Sequence, residues 1–149
     1  MKKRTFLTSI AAISFAIAFA NQPLLASEKD DAKAMVDAAA KAVSANKEDG
    51  LKQIQAGKFT KGEVYAFDYD LTATMLAHPK NPKLVGQNLA EKPDVEGKLF
   101  RKEIVEKAKS AGNGWVDYVY KNPETNAIEN KTTYLKRAGD VVICAGAYQ

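Results

Sequence analysis

The sequence predicts an α+β fold: one antiparallel sheet of about five strands, a long N-terminal helix on one face, and a loop–helix segment over the other. Three observations carry this. A helical run of some thirty residues, Ser27 to Ala56, comes first. An aromatic-rich strand and a short partner follow at Val64–Pro79. Three strand-like runs with short connections close the chain, at Trp115–Tyr120, Thr132–Arg137 and Val141–Tyr148, and short connections favour antiparallel neighbours.

Ahead of the helix, residues 1–26 read as a secretory signal peptide. Lys2-Lys3-Arg4 is the charged start, and Phe6–Ala20 is apolar but too short to span a bilayer. Ala18-Phe19-Ala20 suits cleavage after Ala20, and a cut after Ala26 also fits. Residues 27–149 form one domain, and export to the periplasm is expected. The 149-residue chain carries +4, but Lys2, Lys3 and Arg4 supply three of those charges and no acid offsets them. The remainder is close to neutral, which argues against a basic nucleic-acid surface, and no nucleic-acid partner is expected. Cys144 is the single cysteine, so neither an intrachain disulfide nor a lipid anchor near the cut is available.

In the helical run, Ser27 is placed to cap, and Asp30 and Asp31 sit near the positive end of the helix dipole. Met35, Val36, Ala39, Ala40 and Val43 fall on one face, continued by Leu51 and Ile54, with Gly50 marking a break and Gly57 the stop. In the strand Val64–Tyr69, alternation puts Tyr65, Phe67 and Tyr69 on one face and Val64, Ala66 and Asp68 on the other. The small face accepts the helix, and the aromatic face walls a pocket. Asp68 and Asp70 read as strand-end and turn residues.

Residues 80–94 are irregular, punctuated by Pro82 and Pro93 and anchored by Leu84, Val85 and Leu89. A loop of this length in a small domain tends to be functional, here as a cover for the pocket. Gly97–Ala111 is the second helix, buried through Phe100, Ile104, Val105 and Ala108, with Lys98, Arg101, Lys102 and Lys107 on a solvated face. In the third strand Val116, Tyr118 and Tyr120 share one side, and Trp115, Asp117 and Val119 the other. In the fourth, Thr132, Tyr134 and Lys136 go together. Gly139-Asp140 turns into the last, nearly all-apolar strand.

Several of these segments carry a resemblance. The hairpin's Asp70 turn and Ala77-His78-Pro79, the loop's Gly86 and Asn88, Gly112-Asn113-Gly114-Trp115, Tyr134-Leu135-Lys136-Arg137 and Gly146-Ala147-Tyr148 together resemble the single Cache domain, a PAS-like extracytoplasmic sensor module of bacteria, over residues 30–149. Ala73 departs from the pattern, standing where the family has Gly, which reaches φ > 0 at no steric cost. The resemblance implies a short organic acid as ligand, of the pyruvate, acetate or propionate class, held by Tyr hydroxyls, a cation and a His. Such domains commonly sit in receptors, ahead of a transmembrane helix. This chain stops at Gln149 directly after the last strand, so a membrane receptor or transporter is the expected partner, with a homodimer through the N-terminal helix as a further expectation.

With one His, one Cys and no Gly-rich phosphate loop, no catalytic or metal constellation forms, and neither an enzyme nor a cofactor is expected. The candidate ligand-binding residues are Phe67, Tyr69, His78, Trp115, Tyr118, Tyr120, Tyr134 and Lys136. Pockets are mainly aromatic with a few orienting polar groups, and a buried ammonium needs an anion, which a ligand carboxylate supplies. Each residue also has a purely structural reading: core packing for the tyrosines, a turn-bound His78, and Lys136 in solvent with Arg137 inward. Strand parity decides which residues go together, not which set faces in. The rival function is a cell-envelope structural or stress factor without a ligand.

Overall fold

Two apolar clusters, one on each face of a single sheet, organise the chain. The computed structural model describes residues 22–149; the signal peptide expected at 1–26 lies, through residue 21, outside the described residues. The elements are α1 (Gln22–Ala45), α2 (Lys47–Gln55), β1 (Thr60–Lys61), β2 (Val64–Asp70), β3 (Met75–Ala77), α3 (Phe100–Ala111), β4 (Asn113–Lys121), β5 (Ile128–Ala138) and β6 (Val141–Tyr148), with one 3-10 turn at Pro82–Leu84. The six strands are antiparallel in the order β1-β2-β6-β5-β4, and β3 also pairs with β2. The extra strand beyond the expected five is the two-residue β1.

The helical run divides, but not at Gly50. Asn46 breaks it: its backbone is extended (φ −154°), and its side chain caps α2 by accepting the Asp49 N–H. Gly50 lies inside α2, where an added Cβ would come within 2.6 Å of the Val43 Cα. It permits a close crossing of two helices rather than a break. Nor does Ser27 cap α1, since the helix already starts at Gln22. Gly57, at φ +77°, does follow the end of α2.

The helices cover the small face of β2. Ala32, Val36, Ala39, Val43 and Ile54 pack on Val64, Ala66, Ile143 and Ala145. The opposite face gathers Tyr65, Phe67, Tyr69, Val116, Tyr118, Leu135 and Cys144 under α3 and the 80–94 loop, through Leu84, Leu89, Phe100 and Ile104. The loop is tied down by backbone bonds from Gly86 N to the Met75 carbonyl and from Leu89 N to the Ala73 carbonyl. Ala73 takes φ 64°, the conformation its family's glycine would adopt without strain. Asp70 builds the turn as expected, accepting the N–H groups of Thr72 and Thr74 at 2.8 and 2.9 Å.

The outer strand β4 has its free edge closed by side chains. Lys107 and Lys98 donate to the Trp115 and Asp117 carbonyls, and Asp94 accepts the Val119 N–H. Charged groups on an edge oppose strand addition by another chain.

Candidate functional site

The sheet register decides which polar groups meet the aromatic face. Tyr118 lies opposite Lys131, Trp115 opposite Tyr134, and Lys131 opposite Tyr148. Residues directly opposite share a face. Lys131, Tyr118, Tyr148, Tyr65 and Phe67 therefore stand together, while Tyr134 and Lys136 stand on the α1 side.

Lys131 is the central group. It is 1% exposed. Its Nζ lies 3.1 Å from the Tyr65 hydroxyl and 3.3 Å from that of Tyr148. The same nitrogen lies 4.4 Å from the Tyr65 ring centre, 4.5 Å from Tyr148, 5.4 Å from Phe67 and 5.5 Å from Tyr120. Among the described residues, no carboxylate forms an ion pair with it. Burial alone pulls its pKa from 10.5 down to about 7. Space for the side chain comes from Gly146, where a Cβ would sit 2.8 Å from the Lys131 Cε and 2.3 Å from the Thr133 Oγ1. The hydroxyls of Tyr65 and Tyr148 are held protonated, their pKa values pushed up chiefly by burial.

His78 leans over this group, its ring centre 5.3 Å from Tyr65 and 5.6 Å from Phe67. Its backbone is gripped from α2, for Gln55 accepts the His78 N–H at 3.0 Å and donates to its carbonyl at 3.1 Å. His78 Nδ1 accepts the Asn81 N–H at 2.9 Å, which puts the ring proton on Nε2. Burial, then the charge of Lys131, drive its pKa down to about 3, so the ring is neutral. A neutral imidazole with a free Nε2–H is a hydrogen-bond donor for an anion.

Arg101 is the second cation. The sequence places it on a solvated face of α3; instead it is 5% exposed. Its guanidinium carbon lies 4.1 Å from the Phe100 ring centre and 6.0 Å from that of Tyr120. One terminal nitrogen donates to the Lys92 carbonyl at 3.1 Å, and Nε is buried without a partner. Stacking on Phe100 and the carbonyl of the 80–94 loop hold it inward. Asp94, the nearby acid, is committed to three backbone N–H groups, which keep its pKa low despite the opposing effect of burial.

Two adjoining clefts open on these groups. One, of about 300 Å³, is lined by Tyr65, His78, Lys80, Asn81, Tyr120 and Pro123, among others. Its neighbour, of about 320 Å³, reaches Arg101, Phe100 and Leu84. Asn81, Tyr120 and Lys121 form their common wall. The Lys80–Glu124 ion pair, at 2.7 Å, links the two loops that flank the first cleft. Lys131 lines neither; its Nζ is 4.4 and 5.5 Å from the ring centres of Tyr65 and Tyr120, and the residue borders a third cleft, of about 280 Å³, with Asp94, Asp117 and Gln149.

Of the residues expected at a site, His78 and Tyr120 line the first cleft, and Tyr120 both. Phe67, Tyr69 and Tyr118 lie on the same face but are core residues: Tyr118 stacks on Phe100 at 3.8 Å and bonds the Thr133 hydroxyl at 2.9 Å. Trp115, Tyr134 and Lys136 are on the other face of the sheet, against α1, away from these clefts. Trp115 packs on Tyr134 with ring centres 5.2 Å apart, and Lys136 pairs with Asp37 of α1 at 2.7 Å. The physical reason is the β4–β5 register, which opposes Tyr134 to Trp115 and so separates it from Tyr118. Sequence reasoning missed Lys131 and Arg101. Lys131 escaped because β5 begins at Ile128, four residues before the expected strand start at Thr132; Gly146 in an otherwise apolar strand was its one signal.

Similar folds are found among solved sensor domains. A periplasmic sensor domain of a chemotaxis protein shares 24% identity at a TM-score of 0.69, covering 88% of this chain and 99% of that one. A methyl-accepting chemotaxis protein from Vibrio parahaemolyticus shares 23% at 0.72, covering 86% and 93%. A Cache chemosensory domain that recognises carboxylic acids shares 24% at 0.70, covering 85% and 97%. No helix among the described residues is long and apolar enough to cross a membrane. Residues 25–149 match the model of single Cache domain 2, and the chain belongs to that family of extracytoplasmic sensor domains.

Proposed function

We propose that this domain binds a short organic acid of the pyruvate, acetate or propionate class, with Lys131 and Arg101 as its cations. The observation that carries this is Lys131: a fully buried amine held by phenols, with no ion pair to a carboxylate among the described residues. Burying such a group is costly unless a partner arrives to offset the lost hydration. A ligand carboxylate entering from the cleft past Tyr120 meets the Nε2–H of His78, the hydroxyls of Tyr65 and Tyr148, and one or both cations. Charge-assisted bonds of this kind are the strong ones. Carboxylate recognition in a structural neighbour of the same fold agrees with this chemistry.

The wider role follows the same reading. Lys2-Lys3-Arg4 and the apolar run behind it direct the chain to the periplasm, where it reports or delivers its ligand through a membrane receptor or transporter. The exposed side of α1 offers a surface for a second copy.

Thermal-shift and calorimetric titration of the mature protein with acetate, propionate and pyruvate tests the core of this. A ligand at a hundred times its Kd adds about 2.7 kcal/mol of stability. No melting shift of the wild-type protein with any of the three acids would favour an envelope factor that has no ligand.

A further inference from the structure

We propose that Lys131 also acts as a nucleophile, forming a reversible imine with a 2-oxo acid whose carboxylate is held by Arg101. This rests on the carboxylate-binding reading above and narrows its ligand class. Three features of the site go beyond what a plain anion trap needs. First, the amine forms no ion pair with a carboxylate among the described residues and is surrounded by four aromatic rings. An amine in such a medium is kept partly uncharged at neutral pH, and only the uncharged form has a lone pair to attack with. Second, there are two cationic groups, and they approach the same ring: Lys131 Nζ lies 5.5 Å and the Arg101 guanidinium carbon 6.0 Å from the centre of Tyr120. A guanidinium keeps its charge at any working pH, so it holds the carboxylate while the lysine is neutral. Arg101 also has a buried Nε–H with no partner. Third, proton donors stand at the amine. The hydroxyls of Tyr65 and Tyr148, 3.1 and 3.3 Å away, remain protonated in this environment.

The step balances without any further reactant. The Nζ lone pair attacks the C2 carbonyl carbon, a C–N bond forms, and the carbonyl oxygen takes a proton by way of the Tyr65 or Tyr148 hydroxyl. The carbinolamine nitrogen then gives up its protons as the C–O bond breaks, and water leaves. The product is a C=N bond between Lys131 and the former C2. Hydrolysis returns the free acid and the amine. Tyr120 is half-buried, lines both clefts and has its ring centre 5.5 Å from Nζ; in the proposed step the carbonyl reaches Nζ as that ring swings aside.

The test is reductive trapping. The mature protein is incubated with pyruvate and cyanoborohydride at several pH values, followed by intact mass and peptide mapping; acetate binding is measured in parallel by calorimetry. The expected result is one carboxyethyl group per chain, mapped to Lys131, with a trapping rate that rises as pH increases through 7. Acetate affinity should move the opposite way. Lys131→Arg keeps the cation and loses the adduct, and Arg101→Gln requires at least tenfold more pyruvate for the same rate. If acetate binds but pyruvate leaves Lys131 unmodified, or modifies surface lysines equally in Lys131→Arg, the imine is refuted and the binding reading stands. If acetate does not bind either, both fall. Should Lys131→Arg fail to fold, mapping of the adduct in wild type together with Arg101→Gln decides the matter.

Discussion

Replacing Lys131 by methionine should make the ligand-free protein more stable and, at the same time, deaf to carboxylates. The magnitude follows from the amine's surroundings. A lysine whose pKa drops from 10.5 to about 7 on folding costs the folded state about 4 kcal/mol at neutral pH. Methionine fills a similar volume with no charge to desolvate. Against this stand two lost hydrogen bonds to Tyr65 and Tyr148 and the cation–π contacts, together worth about 2 kcal/mol. The net gain is about 2 kcal/mol, or a melting temperature higher by about 5–8 °C in a domain of this size. The sign can be checked by pH. A lysine with a depressed folded pKa destabilises fully below that value, and the effect fades as pH rises towards the unfolded value of 10.5. The advantage of Lys131→Met should therefore be greatest near pH 6, shrink to nothing at about pH 9, where the fading penalty equals the lost contacts, and turn into a deficit above that. Differential scanning calorimetry of both proteins across this range, with and without propionate, reads both effects. A variant that melts lower than wild type at every pH would show that the lysine is a structural strut, and the argument from its isolation would fail.

Other consequences are as specific. Carboxylate affinity should be flat below pH 7 and fall about tenfold per unit above it, because the complex takes up a proton at Lys131 that the free site has lost; calorimetry in buffers of different ionisation enthalpy counts that proton. Arg101→Gln should weaken binding by about tenfold to a hundredfold, the range of a lost charge-assisted hydrogen bond, with melting of the free protein little changed. Gly146→Ala should lower stability by about 2–3 kcal/mol, since the new methyl meets the Thr132 carbonyl oxygen at 2.8 Å as well as Lys131 and Thr133; chemical denaturation measures it. Asp68 is fully buried with both carboxylate oxygens unpartnered, and burial raises its pKa well above 3.8. Asp68→Leu should gain stability over wild type as pH rises from 4, whereas a constant difference across pH would mean that Asp68 is not neutral in the fold.

The fold was legible because its signals are local. The alternation of Tyr65, Phe67 and Tyr69 with Val64 and Ala66 is a property of six consecutive residues, and it correctly divides them between α3 with its loop and α1 with α2. The helix break was misplaced by one signal read without its context. Glycine weakens a helix, so Gly50 read as a break. Asn46, a residue that caps helices as readily as it breaks them, ends α1 and starts α2 instead, and Gly50 serves a helix crossing so close that an added Cβ would come 2.6 Å from the Val43 Cα, which no sequence period reveals.

The site was less legible because it depends on register between strands, and register is a relation between distant segments. Tyr118, Tyr120, Tyr134 and Lys136 each alternate correctly within their own strand. Which pair shares a face turns on whether Tyr134 opposes Trp115 or Val116, and a slip of one residue exchanges Lys136 for Lys131. The two lysines then meet opposite fates. Lys136 reaches Asp37 at a partly exposed helix surface, where a carboxylate raises its pKa. Lys131 reaches only phenols, and burial lowers its pKa. Charge content alone does not distinguish them. What separates a structural cation from a binding one here is whether the fold supplies its own anion, and that can be read only after the strands are in register.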